Sequence, residues 1–263
     1  DIRAATRPAS VLFTLNSKTP QLADKDVRHA VLAAIDRDQL AKIRYNGLGY
    51  EEEMPGSLTL YPTQEDYKDN LSKVLEYDVE KAKSLLEDAG YSEGSDGYYA
   101  KDGDKLSLRY ILIGDDEVSK STATAVQKML KDAGIDLKVE ERPSSDFSKI
   151  ISERDFDLLL SGFAASDPFG PAFFGQTYAS DSTLNKSGTG TEEFDKKIKE
   201  MQKLPTREEQ IKRINELESE AFAEYGMLPY ANGPQMVGLK KGIANMGALG
   251  FAVIPKENIG WEK

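Results

Sequence analysis

The sequence predicts an α/β fold, a mixed but mainly parallel sheet flanked by helices. Three observations carry this. Strand-like apolar runs alternate with helices of 3.6-residue period between residues 10 and 232. The helix–strand–helix–strand run at 118–163 has short connections, which favours parallel pairing through right-handed crossovers. The 263 residues are 39% hydrophobic and 30% charged, the balance of a folded chain forming one large α/β domain or two small ones.

In chain order, 10–16 reads as a buried strand. Residues 25–47 read as one helix with Val27, Ala30, Val31, Ala34 and Ile35 on a single apolar face, capped by Asp24 and stopped by Gly47. From 48 to 77 no period holds, and loops of this length are often functional. A helix follows at 78–91, capped by Asp78 and ended by Gly90. Residues 96–114 read as a hairpin, a short strand and a long one joined by a Lys-Asp-Gly-Asp turn. Then come a helix from 118, a strand at 136–142, a short helix and a strand at 156–163.

Beyond these, Thr191 caps a helix with Phe194, Ile198 and Met201 on its face. Thr206 with Glu209 forms a capping box for the next helix, which runs to Gly226. Residues 227–232 read as an edge or crossing strand, with Pro229 near its start. Residues 233–263 hold six glycines and two prolines among aperiodic apolar side chains, the pattern of a tail packed on a surface outside this chain.

Composition excludes several function classes. The net charge of −11 argues against nucleic acid, which needs a basic face. With no cysteine, disulfides, thiolate nucleophiles and Cys-ligated zinc are excluded. His29 is the only histidine, so a two-histidine mechanism or His-rich metal site is excluded too; inside its helix it reads as a surface or satisfied residue. No apolar run approaches the ~20 residues of a spanning helix. The carboxylate pairs Asp24/Asp26, Asp115/Asp116 and Asp155/Asp157 read as solvated faces, and Gly188–Glu193 as a glycine-softened helix start. No catalytic residue, cofactor or metal site is predicted.

The stretch 161–174, SGFAASDPFGPAFF, stands out by elimination. Four phenylalanines, two prolines and two glycines surround one carboxylate, too broken for a helix and too aromatic for an idle loop. It leaves the carboxyl end of a strand, where open α/β sheets bind ligands. Phe173 and Phe174 read as core. Phe163, Ala164, Ala165, Ser166, Asp167 and Phe169 read as a ligand site, with small residues to admit a ligand backbone, aromatic rings as a floor and a carboxylate for an amine.

The order of these motifs resembles the extracytoplasmic solute-binding proteins of peptide-type ABC importers, family 5. The resemblance rests on Asn16, Pro20, Asp26, Val27, Arg28, Ala30 and Ala34-Ile35-Asp36-Arg37. It continues through Tyr77-Asp78, Lys81-Ala82, Leu85-Leu86, Ala89-Gly90-Tyr91, Gln127, Leu130, Ala133-Gly134-Ile135, Phe156-Asp157 and Leu228-Pro229. It spans about 220 residues.

The resemblance implies a periplasmic-binding-protein-like lobe of type II. Residues 10–232 would be lobe II with two hinge strands, Asn16 and Tyr230 lying near the hinge. Residues 233–263 would be a return tail belonging to lobe I, and the N-terminal part of lobe I would be absent. The implied function is a substrate-binding component that closes on a peptide or similar solute and delivers it to an ABC transporter permease, outside the cytoplasm. The membrane would be reached only through a lipid anchor on the full-length protein. In peptide-binding members an aspartate after a pair like Gly162-Phe163 holds the peptide amino terminus. Here the matching position is Ser166 and Asp167 comes one later, so Asp167 is the anchor or the anchor is lost. Relatives also carry oligosaccharides, opines, nickel complexes and siderophores. The rival reading is a free-standing protein-interaction domain derived from such a lobe.

Overall fold

The computed structural model describes residues 1–164, 170–249 and 253–262. The chain opens with β1 (Ile2–Thr6) and β2 (Ala9–Leu15), followed by α1 (Lys25–Ala33), α2 (Arg37–Tyr45) and α3 (Val79–Asp88). The strands β3 (Ser92–Glu93), β4 (Tyr99–Lys101) and β5 (Asp104–Lys105) form a small separate sheet. Then come β6 (Ser107–Ile113), α4 (Glu117–Asp132), β7 (Asp136–Arg142), α5 (Phe147–Glu153) and β8 (Leu158–Ala164). Helices α6 (Pro171–Tyr178), α7 (Glu192–Gln202) and α8 (Arg207–Phe222) lead to β9 (Met227–Ala231). The strands β10 (Pro234–Gly238), β11 (Ile243–Ala244) and β12 (Gly260–Trp261) end the chain.

The central sheet has the order β7-β6-β8-β2-β9. Strand β6 runs parallel to β7 and β8, whereas β2 runs antiparallel to both β8 and β9. Four of the five strands therefore point one way, and only β2 opposes them. The mixed, mainly parallel sheet matches the fold class expected from the alternation of elements.

The caps act as the sequence implied. Asp24 accepts from Asp26 N, Asp78 from Lys81 N and Thr191 from Phe194 N, and Thr206 with Glu209 completes its capping box. Four expectations need correction. The helix at 25–47 is two helices, because Asp36 turns its carboxylate onto Gln39 N and starts a second one. The hairpin at 96–114 is shorter than expected: β4 turns into β5 at Asp102 (φ 56°) and Gly103 (φ 90°), while β6 joins the central sheet. The stretch 161–174 does enter a helix, since Pro171 at the first turn of α6 needs no amide partner there. Finally, residues 2–6 form a strand that pairs antiparallel with β10, from Ile2↔Gly238 to Thr6↔Pro234. Part of the tail thus finds its partner within this chain.

Phe13 of β2 sits at the centre of the core, 5.7 Å from the Tyr110 ring and 5.6 Å from that of Tyr230. Truncating such a side chain typically costs about 3–5 kcal/mol. Phe174 is fully buried and packs on Tyr178 and Phe194, in line with its expected core role. A smaller cluster of Ile111, Ile150, Phe156 and Leu159 lies under α5.

Two chain connections, Thr6–Ala9 between β1 and β2 and Asn232–Pro234 between β9 and β10, cross side by side at one end of the sheet and are called the crossings below. Arg7 N donates to Gly233 O at 2.9 Å, and Asn232 Nδ2 donates to Ala9 O at 2.7 Å. Gly233 has φ 86°, a left-handed bend that lets β9 turn into β10. Beyond this point no residue of the β1–β10 ribbon is buried.

Candidate ligand-side face

The carboxyl ends of β6, β7, β8 and β9 and the start of β2 lie at the same end of the sheet as the two crossings. Ala164, the last residue of β8, pairs with Ala9, the first of β2, and is exposed. Phe163 is half-buried on the opposite face and meets Phe173 of α6 edge-on at 6.0 Å. Ala165, Ser166, Asp167 and Phe169 lie outside the described residues. The described roots of that segment are Phe163 and Ala164 on one side and Gly170 on the other.

Both roots are closely packed on backbone. A Cβ on Gly162 would stand 2.9 Å from Ser10 O, so glycine lets β8 approach β2 at its open end. Gly170 has φ 85°, and a Cβ there would lie 3.0 Å from Leu60 Cδ2 and 3.3 Å from Thr59 O. The long 48–77 segment therefore supports the far root of the candidate site directly.

The same segment grips the crossings. Glu52 Oε1 accepts from Asn232 N at 2.6 Å and from Gly233 N at 3.2 Å, and also from the Tyr45 hydroxyl. Its Oε2 accepts from Gly233 N at 3.1 Å and from Tyr50 Oη at 2.9 Å. Tyr50 Oη also bonds Thr6 Oγ1 at 3.1 Å, so this cluster reaches both crossings. Burial, with the Glu52 carboxylate adding to it, pushes the Tyr50 hydroxyl up to about 12, and the Tyr45 hydroxyl rises as well.

Tyr230 is fully buried in β9, one residue before the strand ends, with Arg44 and Thr122 beside its hydroxyl. Asn16 lies just past the opposite end of β2, roughly 23 Å along the strand from Ala9 at ~3.3 Å per residue. There its Nδ2 donates to Arg154 O and Phe156 O, both at 3.0 Å, and its Oδ1 accepts from Lys18 N. The structure thus places Tyr230 close to the crossings and Asn16 far from them.

The remaining chemical groups have structural work. Asp116 caps α4, Asp157 accepts from Arg109 N, and Asp155 pairs with Arg109 at 3.0 Å. His29 stacks on Tyr225 at 3.9 Å with the rings 5° apart. Partial burial, and then Lys81, hold its pKa below the ordinary 6.5. Among the described residues no three His, Cys, Asp or Glu side chains converge as metal ligands. No helix among them is long and apolar enough to cross a membrane.

Sequence reasoning missed two carboxylates. Glu52 sits in an acidic triplet that reads as solvated surface. Glu218 lies in the charged run of α8 yet is fully buried, holding donors from segments 40 to 160 residues away. For Glu218 the available signal was its helix phase, since it falls one turn beyond buried Ile214 and one turn before Phe222.

Residues 1–185 match the family model of bacterial extracellular solute-binding proteins, family 5. The chain belongs to this family. Family 5 relatives include the oligopeptide-binding protein OppA of Mycobacterium tuberculosis H37Rv, 29% identical over 262 residues, 99% of this chain and 44% of that protein. Among solved structures, the periplasmic EDTA-binding protein EppA superposes with a TM-score of 0.86 at 22% identity. That likeness covers all of this chain and 50% of EppA. The oligopeptide-binding protein AppA of Bacillus subtilis, solved with a nonapeptide, gives 0.74 at 25% identity over 100% of this chain and 52% of its own. The chain spans about half the length of the family 5 proteins it matches. These relatives are named as binding proteins.

Proposed function

We propose that this chain is the ligand-side lobe of an ABC importer receptor, capturing a peptide or similar small solute between two lobes and delivering it to the permease. The observation that carries this reading is the meeting of three features at one end of the sheet. These are the two crossings at Thr6–Ala9 and Asn232–Pro234, the roots of the 163–169 segment, and the Glu52 clasp. A facing lobe attached through the crossings would lie over that segment. Ligand touching both lobes would then favour the closed state by its differential affinity.

On this reading Phe163, Ala164, Ala165, Ser166, Asp167 and Phe169 are the lobe's ligand contacts, and Asp167 is the candidate amine anchor. Residues 10–232 are lobe II, and 233–263 return to lobe I. The hinge lies at the crossings, with Tyr230 at its inner edge, and Asn16 braces the far end of the same strand. The tail and the β1 strand paired with it support this, because Ile2, Val253 and Trp261 are exposed at 72%, 88% and 62%. Beside them a groove of about 680 Å³ is lined by Ala4, Met246, Leu249, Val253 and Ile254 among others. The remainder of lobe I would cover these residues. A lipid anchor on the full-length protein would tether it at the extracytoplasmic face.

The same exposed groove also favours the second reading, a free-standing domain that docks a partner protein there. Native mass spectrometry of the protein isolated from its source separates the two. A polypeptide near twice this mass with a small solute retained supports the receptor. A mass equal to this chain with a second protein attached overturns it.

A further inference from the structure

Glu218 is a fully buried carboxylate. Its Oε1 accepts from Leu58 N at 3.0 Å, Thr59 N at 3.2 Å, Thr59 Oγ1 at 2.9 Å and Tyr178 Oη at 2.9 Å. Its Oε2 accepts from Asn70 Nδ2 at 2.9 Å. Each of these partners is itself buried, and Asn70 in turn accepts from Lys73 Nζ at 2.8 Å, so the carboxylate is met by aimed dipoles, one of them polarised by a cation. An uncompensated carboxylate in such a place would cost several kcal/mol. The donors come from two separate pieces of chain, the 57–70 segment and α6.

Those two pieces converge on one point. Gly170, which leads into α6 at the end of the aromatic segment, is seated on Thr59 and Leu60, the residues whose turn Glu218 holds. Tyr178, at the other end of α6, is tied to the same Oε1. Phe173, between them, meets Phe163 on the other root. Glu218 thus fixes the turn beneath Gly170 and the helix that follows it.

We infer that Glu218 is a positioning residue for the ligand-side segment, setting where its Gly170 root stands relative to β8. This rests on the reading that the 163–169 segment contacts ligand. Glu218 touches no ligand itself; it acts through Thr59, Leu60 and Tyr178.

Two variants of similar volume separate hydrogen bonding from space filling. In Glu218→Gln the amide oxygen takes the place of Oε1 and keeps its four donors, and only Asn70 faces the new NH2. In Glu218→Met all five acceptor contacts are lost. The test compares amide chemical shifts in the 263-residue chain by NMR, with Ile111→Val in the other cluster as a control for general destabilisation. Large shifts at Phe163 and Gly170–Phe174 in Glu218→Met, restored in Glu218→Gln and absent in Ile111→Val, are expected. Should Glu218→Met fail to fold, Tyr178→Phe removes only the α6 donor and is expected to shift Gly170–Phe174 on its own. The inference is overturned if these amides move no more in Glu218→Met or Tyr178→Phe than in Ile111→Val. No ligand is used, so a failed peptide-binding experiment leaves this result standing by itself.

Discussion

Glu52 and Asn232 lie 180 residues apart in sequence, yet Glu52 Oε1 receives the Asn232 amide at 2.6 Å. With the Gly233 amide accepted by both carboxylate oxygens, one side chain fixes the peptide planes through which β9 passes into β10.

Glu52→Gln puts an NH2 group against these donors. Losing one charge-assisted bond is worth ~1.4 kcal/mol, so hydrogen exchange at Asn232 and Gly233 should rise roughly ten-fold. The amides of Leu12 and Phe13 should keep their rates. Tyr50, at about 12 in the native protein, should titrate lower in the variant yet above 10, because burial is the larger cause and persists. Unchanged exchange at Asn232 and Gly233 would remove Glu52 from the crossing.

Gly162→Ala would force a Cβ to 2.9 Å from Ser10 O, where backbone must give way. The expected cost is about 1–3 kcal/mol in urea unfolding. Amide shifts should concentrate at Ala9–Val11 and Phe163. A neutral substitution would mean that β8 and β2 separate freely at their open end.

Asn16→Ala removes the side-chain donor from Phe156 O and one of the two donors from Arg154 O, which keeps the Phe156 amide at 2.9 Å. A loss of about 2–3 kcal/mol is expected, with Arg154 at φ 54° as the first amide to exchange faster. Exchange at Asn232 and Gly233 should not change. A rise there would link Asn16 to the crossings after all.

His29 binds its proton less readily folded than unfolded, so between its lowered pKa and 6.5 the unfolded chain holds more protons. Its contribution to stability is therefore complete above 6.5 and declines as pH falls below it. Urea midpoints at pH 7.5 and 5.5 should differ less in His29→Gln than in the native chain. An equal difference would show that the stack on Tyr225 leaves His29 titrating normally.

Helices such as α3 and α8 were legible because each carried its own period and its own cap, Asp78 before α3 and Thr206 before α8; α6 was not, because prolines and glycines mask its start. Strand β1 was not legible: five residues of unremarkable composition become a strand only through a partner more than 200 residues away. The break before α2 was hidden because Ala34 and Ile35 continue the apolar period across it. Of the candidate site, Phe163 and Ala164 follow from the strand-end argument, since β8 ends at Ala164. Glu52 and Glu218 do not, since a carboxylate that binds amides looks in sequence like one that binds water.

The contact between Asn232 and Ala9 has a topological consequence. The 222 residues from Ser10 to Ala231 form a closed excursion that leaves and returns through one doorway. Such a unit can be lifted from one protein and set into another without rethreading the host. Because both joins lie side by side, transfer of the whole unit disturbs the host at one place only.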